Sequence, residues 1–143
     1  EYTGEDGKKH RPVRVHREVL GAIERFIGVI TEHFAGAFPL WLSPVQVKVL
    51  TVTDRADAYA AELAKALDEL GFRVETDVRN EKIGKKIREA TLEKDPYMLV
   101  VGDRDVENKT VSVRTRGGED LGAMSLEAFA AKLREEVDSK VIL

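Results

Sequence analysis

Val45-Gln46-Val47-Lys48-Val49-Leu50-Thr51-Val52 carries β-branched and apolar side chains over most of its length, with no Gly or Pro inside it. That pattern predicts a half- or fully buried strand. Directly after it, Asp54 is placed to cap a helix. The inner face of that helix is Tyr59, Leu63, Ala66, Leu67 and Leu70, at helical spacings, and Gly71 marks its end. Phe72-Arg73-Val74-Glu75-Thr76 predicts a second strand, and Lys82 to Lys94 a second helix with Ile83, Ile87 and Ala90 inward. Met98 to Val101 predicts a third strand, and Thr110-Val111-Ser112-Val113-Arg114 a fourth, alternating one. The fourth is expected to be antiparallel, because too few residues precede it for a helical crossover. A last helix from Ser125 puts Leu126, Phe129, Leu133 and Val137 on one side. The fold class implied is α/β, a mixed, mostly parallel sheet flanked by helices.

Working back towards the start, Leu20, Ile23, Ile27, Ile30 and Phe34 fall on one face of a helix, and Phe26 and Val29 widen the stripe. This helix is therefore expected to have neighbours on more than one side. Gly36 followed by Pro39 reads as its stop. Ala37 to Pro44, with two prolines and Trp41, reads as a stiff connector and the boundary between two parts of the chain.

At 143 residues with no cysteine, the chain is long enough to bury most of its apolar surface and excludes a disulfide framework or a thiolate metal site. No apolar run approaches the roughly 20 residues of a membrane span. The first seventeen residues are polar and charged, unlike a signal peptide, so a cytoplasmic location without membrane contact is the expectation. The start without Met in a hydrophilic, Gly-containing stretch points to a piece of something longer. A net charge of -3 gives no global basic signal, so any nucleic-acid contact must come from a local patch.

One such patch exists. Arg79 to Arg88 holds five basic residues, Arg79, Lys82, Lys85, Lys86 and Arg88, against Glu81, a local balance of +4. A solvated helix face over Ile83 and Ile87 accounts for this composition as well. Asn80 and Gly84 argue for more: an Asn at a strand-to-helix turn offers a donor and an acceptor to a base edge, and Gly84 lets a nucleic-acid backbone come close. Gly102-Asp103-Arg104-Asp105 follows the third strand, at the carboxyl-end position where open α/β sheets bind ligands, although most such clusters are polar turns.

Four segments in order then carry a resemblance: His16-Arg17-Glu18-Val19-Leu20-Gly21-Ala22-Ile23-Glu24-Arg25-Phe26, Phe38-Pro39-Leu40-Trp41-Leu42-Ser43-Pro44-Val45-Gln46-Val47, Arg79 to Arg88, and Pro96-Tyr97-Met98-Leu99-Val100-Val101-Gly102-Asp103. The first is similar to the third signature motif of class II aminoacyl-tRNA synthetases. Together they resemble the C-terminal part of threonyl-tRNA synthetases of bacterial type, over nearly the whole chain. The resemblance implies a remnant of the class II catalytic domain, with its motif-three helix, over 1–38, and an anticodon-binding domain over 39–143. It implies that Asn80, Lys82, Lys85, Asp105 and Arg114 face the anticodon loop of tRNA(Thr). Asp105 stands where relatives usually have Glu, which shortens the reach by one methylene. Threonine anticodons share G and U at their second and third positions; a carboxylate accepts from G, and an arginine fork donates to G or U.

By the same resemblance Arg25 is the motif-three arginine that clamps ATP phosphate oxygens, and His16 is one of three ligands of a threonine-selecting zinc. The parent reaction is ATP, L-threonine and tRNA(Thr) going to threonyl-tRNA, AMP and pyrophosphate, with magnesium and zinc. The parent is expected to be a homodimer through its catalytic domain. This chain by itself is expected to be non-catalytic and to hold no cofactor. Arg14, Glu18 and Ala22 depart from the motif's usual apolar, small and Ser residues. Two other readings remain: the equivalent domain of a prolyl-, histidyl- or glycyl-tRNA synthetase, and a free-standing, non-catalytic interaction module with this fold.

Overall fold

The alternation read from Val45 onward becomes a five-stranded sheet between helices. The computed structural model describes residues 1–142, so Leu143, the last residue of the unit expected over 39–143, lies outside the described residues. In chain order the elements are β1 (Tyr2–Thr3), β2 (Lys9–His10), α1 (Ile23–His33), β3 (Val47–Thr51), a 3-10 turn (Asp54–Ala56), α2 (Asp57–Glu69), β4 (Val74–Asp77) and α3 (Ile83–Glu93). They continue with β5 (Tyr97–Val101), α4 (Asp103–Asn108), β6 (Thr110–Thr115), β7 (Asp120–Ser125) and α5 (Leu126–Ser139). The sheet order is β4-β3-β5-β6-β7, and only β6 runs against the other four strands.

Strand alternation sorts the side chains into two layers. Val47, Val49, Leu99, Val101, Val111 and Val113 face α2 and α5, where Tyr59, Leu63, Leu67, Phe129 and Leu133 complete the main core. On the other face Leu50 and Met98 pack under Ile83, Ile87 and Ala90 of α3. Gly71, at φ +87°, ends α2 as read from the sequence.

Four details depart from expectation. Asp54 starts the 3-10 turn instead of capping α2, whose N-cap is Ala56 with no side-chain cap hydrogen bond. Asp103–Asn108 forms a short helix; with Val106 as its one apolar residue, it has no period to reveal it. Strand β7 has no counterpart in the elements expected from sequence: Val113 pairs with Gly122 and Arg114 with Asp120, so Leu121 is an extra bulged residue. The bulge lets Leu121 and Met124, three apart, both pack on the main core and breaks the alternation that betrays a strand.

The fourth departure is α1. None of its residues is buried, and Ile23 and Ile27 are 67% and 52% exposed. Among the described residues no element buries either of its sides. The segment after α1 is anchored: Leu40 is part of the main core, Lys94 Nζ donates to the Ala35 carbonyl, and Arg116 donates to the Phe38 carbonyl at 2.6 Å.

Candidate nucleic-acid interface

The turn from β4 to α3 is organised by Asp77, whose side chain is buried at the end of β4. Its carboxylate accepts from the Arg79 backbone N–H at 3.1 Å, from Nε at 2.9 Å and from a terminal guanidinium nitrogen at 2.6 Å. That same nitrogen donates to Glu89 on α3. The Arg79 carbonyl accepts from the Glu81 N–H at 2.8 Å. From below, the Lys86 ammonium donates to the Thr51 carbonyl at 2.9 Å, the Asp77 carbonyl at 3.0 Å and Thr51 Oγ1 at 3.2 Å. Asn80 is the exposed residue between these pinned neighbours. It lines a cleft of about 450 Å³ at the carboxyl ends of β3 and β4, together with Val52, Thr53, Asp54, Asp57 and Val78. Open α/β sheets bind ligands outside the carboxyl ends of their strands.

Lys82 is the N-cap residue of α3, exposed, and the first turn of that helix has neither a side-chain cap nor an acidic residue. The first N–H groups of a helix left in this way favour an anion. A Cβ added at Gly84 would meet nothing within 4 Å, so the helix surface beside Lys82 is open.

The basic footprint is smaller than the residue count suggests. Lys86 is 2% exposed and points into the protein. Arg79 is held by Asp77 and Glu89, and Lys85 donates to Glu81 at 2.6 Å. Only Lys82 and Arg88 of the five have no carboxylate partner among the described residues. Asp77 and Glu89, which neutralise Arg79, flank the counted segment, and a count along the chain leaves them out.

The second half of the surface lies on β6. Val111 and Val113 point into the main core, so Thr110, Ser112 and Arg114 share the other face, the one α3 partly covers. Ser112 is paired with Val100 and Arg114 with Met98. Arg114 is half-exposed, and its one carboxylate neighbour among the described residues is Asp120 at 4.0 Å. Asp105 stands next to this face: its carboxylate accepts from the Gly102 N–H at 3.1 Å, Thr110 Oγ1 at 3.2 Å and Ser112 Oγ at 3.1 Å. Of about four acceptor positions on a carboxylate, three are taken.

Sequence reasoning puts these residues near the carboxyl ends of the strands or on the adjoining helix start, and Arg114 does lie at the end of its own strand, β6. Because β6 is reversed, its carboxyl end lies beside the start of β5. Arg114 therefore sits about 10 Å along the strands from the end marked by Val101. Asn80, Lys82 and Lys85 form one cluster, and Asp105, Ser112 and Arg114 a second on the same side of the sheet. Glu89, Ser112 and Thr110 are residues that sequence reasoning misses, although the polar alternation Thr110, Ser112, Arg114 is legible.

Acid should loosen the first cluster. The hydrogen bonds from Arg79 hold the Asp77 carboxyl below its ordinary value of 3.8. A depressed carboxylate contributes stability above that ordinary value and loses it as pH falls through the folded value. Urea midpoints measured from pH 6 to 3 should therefore show Asp77→Asn as less stable at pH 6, with the two curves converging in acid. Parallel curves would contradict this role.

The N-terminal residues stand apart. His16 lies in the exposed, extended segment before α1, and Arg25 is exposed on α1. The zinc implied by the resemblance does not fit the residues present. The chain has no cysteine, His10 is hydrogen-bonded to Asp6 at 2.9 Å, and no three His, Asp or Glu side chains converge among the described residues. No helix among the described residues is long and apolar enough to cross a membrane.

Comparison with known proteins agrees with this geometry. Residues 46–136 match the family model described as anticodon binding domain. The chain is 60% identical over 139 residues to the threonine–tRNA ligase of Acetivibrio thermocellus, covering 97% of this chain and 22% of that protein. It is 58% identical over 140 residues to the ligase of Clostridium kluyveri, covering 98% of this chain and 22% of that one. It thus spans about a fifth of the length of the curated relatives it matches. A crystal structure of the RNA binding domain of threonyl-tRNA synthetase from Cryptosporidium parvum Iowa II superposes with a TM-score of 0.77 at 35% identity, covering 82% of this chain and 30% of that one. On the strength of the sheet, the two polar clusters along one side of it and these matches, the chain belongs to the anticodon-binding domain family, in the form carried by threonyl-tRNA synthetases.

Proposed function

We propose that this chain reads the anticodon loop of tRNA(Thr) as part of a threonine–tRNA ligase working in the cytoplasm as a homodimer. The observation that carries the reading is the placement of Asn80 and Lys82 after β4, and of Ser112 and Arg114 on β6, on a single side of the sheet. Asn80 and Arg114 supply base-edge contacts, and Lys82 with the open start of α3 supplies a phosphate contact. Single-stranded loops expose the base edges such groups need. Asp105 contributes by holding the hydroxyl of Ser112, the residue next to Arg114 on that face of β6, with one acceptor position left for a base donor. Fluorescence titration of tRNA(Thr) against anticodon variants is the direct test. Preference for the G-U anticodon supports the reading. Equal binding of all variants would favour a sister domain or a free-standing interaction module.

Residues 1–38 belong, in this reading, to the catalytic part of the parent, and 39–143 to the anticodon reader. The exposed apolar side chains Leu20, Ile23, Ile27 and Val29 support this, because an uncovered stripe of that kind suits a surface buried elsewhere. ATP, magnesium and zinc would act in the parent and not on this chain. Pyrophosphate exchange with threonine and ATP is expected to stay at the blank level, and dialysed protein to retain no stoichiometric zinc. Turnover above the blank that survives an Arg25→Ala control would overturn this division.

A further inference from the structure

We propose that Arg79 is a positioning residue for Asn80 and not a phosphate ligand; the proposal rests on the anticodon reading above. An exposed arginine at an RNA-facing turn ordinarily suggests phosphate. Here three of the five guanidinium N–H donors are engaged, and only the second terminal nitrogen is left without a protein partner among the described residues. Nε and one terminal nitrogen grip Asp77, and that terminal nitrogen also reaches Glu89. With the Lys86 ammonium 4.0 Å from Asp77, the group Asp77, Arg79, Lys86 and Glu89 has no net charge, so it exerts little pull on an anion.

The guanidinium acts on the turn through Asp77, because it holds in place the carboxylate oxygen that also accepts from the Arg79 backbone N–H. The Arg79 N–H is tied to Asp77 and its carbonyl to Glu81, so the peptide units on both sides of Asn80 are held before any ligand arrives. A free turn would lose its backbone freedom at binding; this one loses it at folding. The benefit falls on ligands that use the Asn80 side chain, and so Arg79 acts on discrimination more than on general affinity. The Glu89 carboxylate, one helical turn and a half into α3, is the outer jaw of the clamp.

The test uses the whole 143-residue chain with unmodified tRNA(Thr) transcript and an anticodon variant, titrated at several salt concentrations. Arg79→Gln should reduce the preference for the cognate anticodon by roughly tenfold, the cost of ordering one backbone residue at binding. The slope of log affinity against log salt should not change. Arg79→Lys should behave like Arg79→Gln, since an ammonium cannot grip Asp77 in two places. Glu89→Gln, which leaves Asp77 and the fold intact, should lower the preference in the same direction by less. A phosphate ligand predicts the reverse on every count. Its removal would reduce the slope by about 0.7, Arg79→Lys would restore binding, and Glu89→Gln would free the guanidinium and strengthen all tRNAs equally; that pattern would overturn the proposal. If the unmutated chain shows no anticodon preference, the anticodon reading fails and this assignment with it. Loss of preference in the variants alone supports both.

Discussion

Replacing Lys86 by Met is expected to destabilise the fold by about 3 kcal/mol, the low end of what removing one partner from a buried charge group costs. The side chain is 2% exposed and its three donors are all used, on the carbonyls of Thr51 and Asp77 and the hydroxyl of Thr51. Those carbonyls close the carboxyl ends of the adjacent strands β3 and β4. Methionine fills the space of the stem and takes the ammonium from both carbonyls, leaving that of Asp77 only the long bond from Thr51 Oγ1 at 3.4 Å, at about 1–3 kcal/mol for each unsatisfied group where no water enters. Asp77 keeps Arg79, which is why the low end applies. Against a total of roughly 5–15 kcal/mol for a domain this is a large fraction. Lys65→Met, on an exposed position of α2, should change stability by less than about 0.5 kcal/mol. Urea denaturation of both variants decides it. A Lys86→Met loss no greater than that of Lys65→Met would mean that water replaces the ammonium.

The second large effect is on anticodon discrimination. Arg114→Ala and Asn80→Ala should each cost about 1–3 kcal/mol with cognate tRNA and flatten the preference for G and U. The two residues lie on strands or turns three strand spacings apart and about 10 Å apart along the sheet. Their effects should therefore add in the double variant. Lys82→Ala should weaken every tRNA alike and reduce the salt slope by about 0.7. Lys85→Ala should do less, because Glu81 already neutralises that charge. Unchanged affinity and preference in both Arg114→Ala and Asn80→Ala at low salt would end the anticodon reading.

Much of the architecture can be read without coordinates, and particular residues explain why. Leu63 and Leu67, and Phe129 and Leu133, repeat with the helical period, and burial of one face follows from that period alone, while the nearly unbroken apolar run from Val47 to Thr51 marks a strand covered on both faces. The end of α1 near Gly36 and of α2 at Gly71 follow from a left-handed backbone that glycine adopts without strain. Strand β7 escapes because its bulge at Leu121 breaks the period, and α4 because six residues with one apolar side chain have none.

The sequence by itself determined the layered α/β class, the order of its main elements and the identity of the residues to be tested, because these depend on local periodicity and on motifs contiguous in the chain. Tertiary structure alone decided which charges are free. Lys82 and Lys86 are four residues apart and identical in type, yet one is exposed at a helix start and the other is buried against Thr51 and Asp77. It also decided where Arg114 stands, since the pairing of β6 with β5 and its register, added to the reversal expected from sequence, set Arg114 opposite Met98 and away from the end of the sheet where Asn80 lies. Both depend on partners distant in sequence, and electrostatic pairing acts through space, where spacing along the chain carries no information.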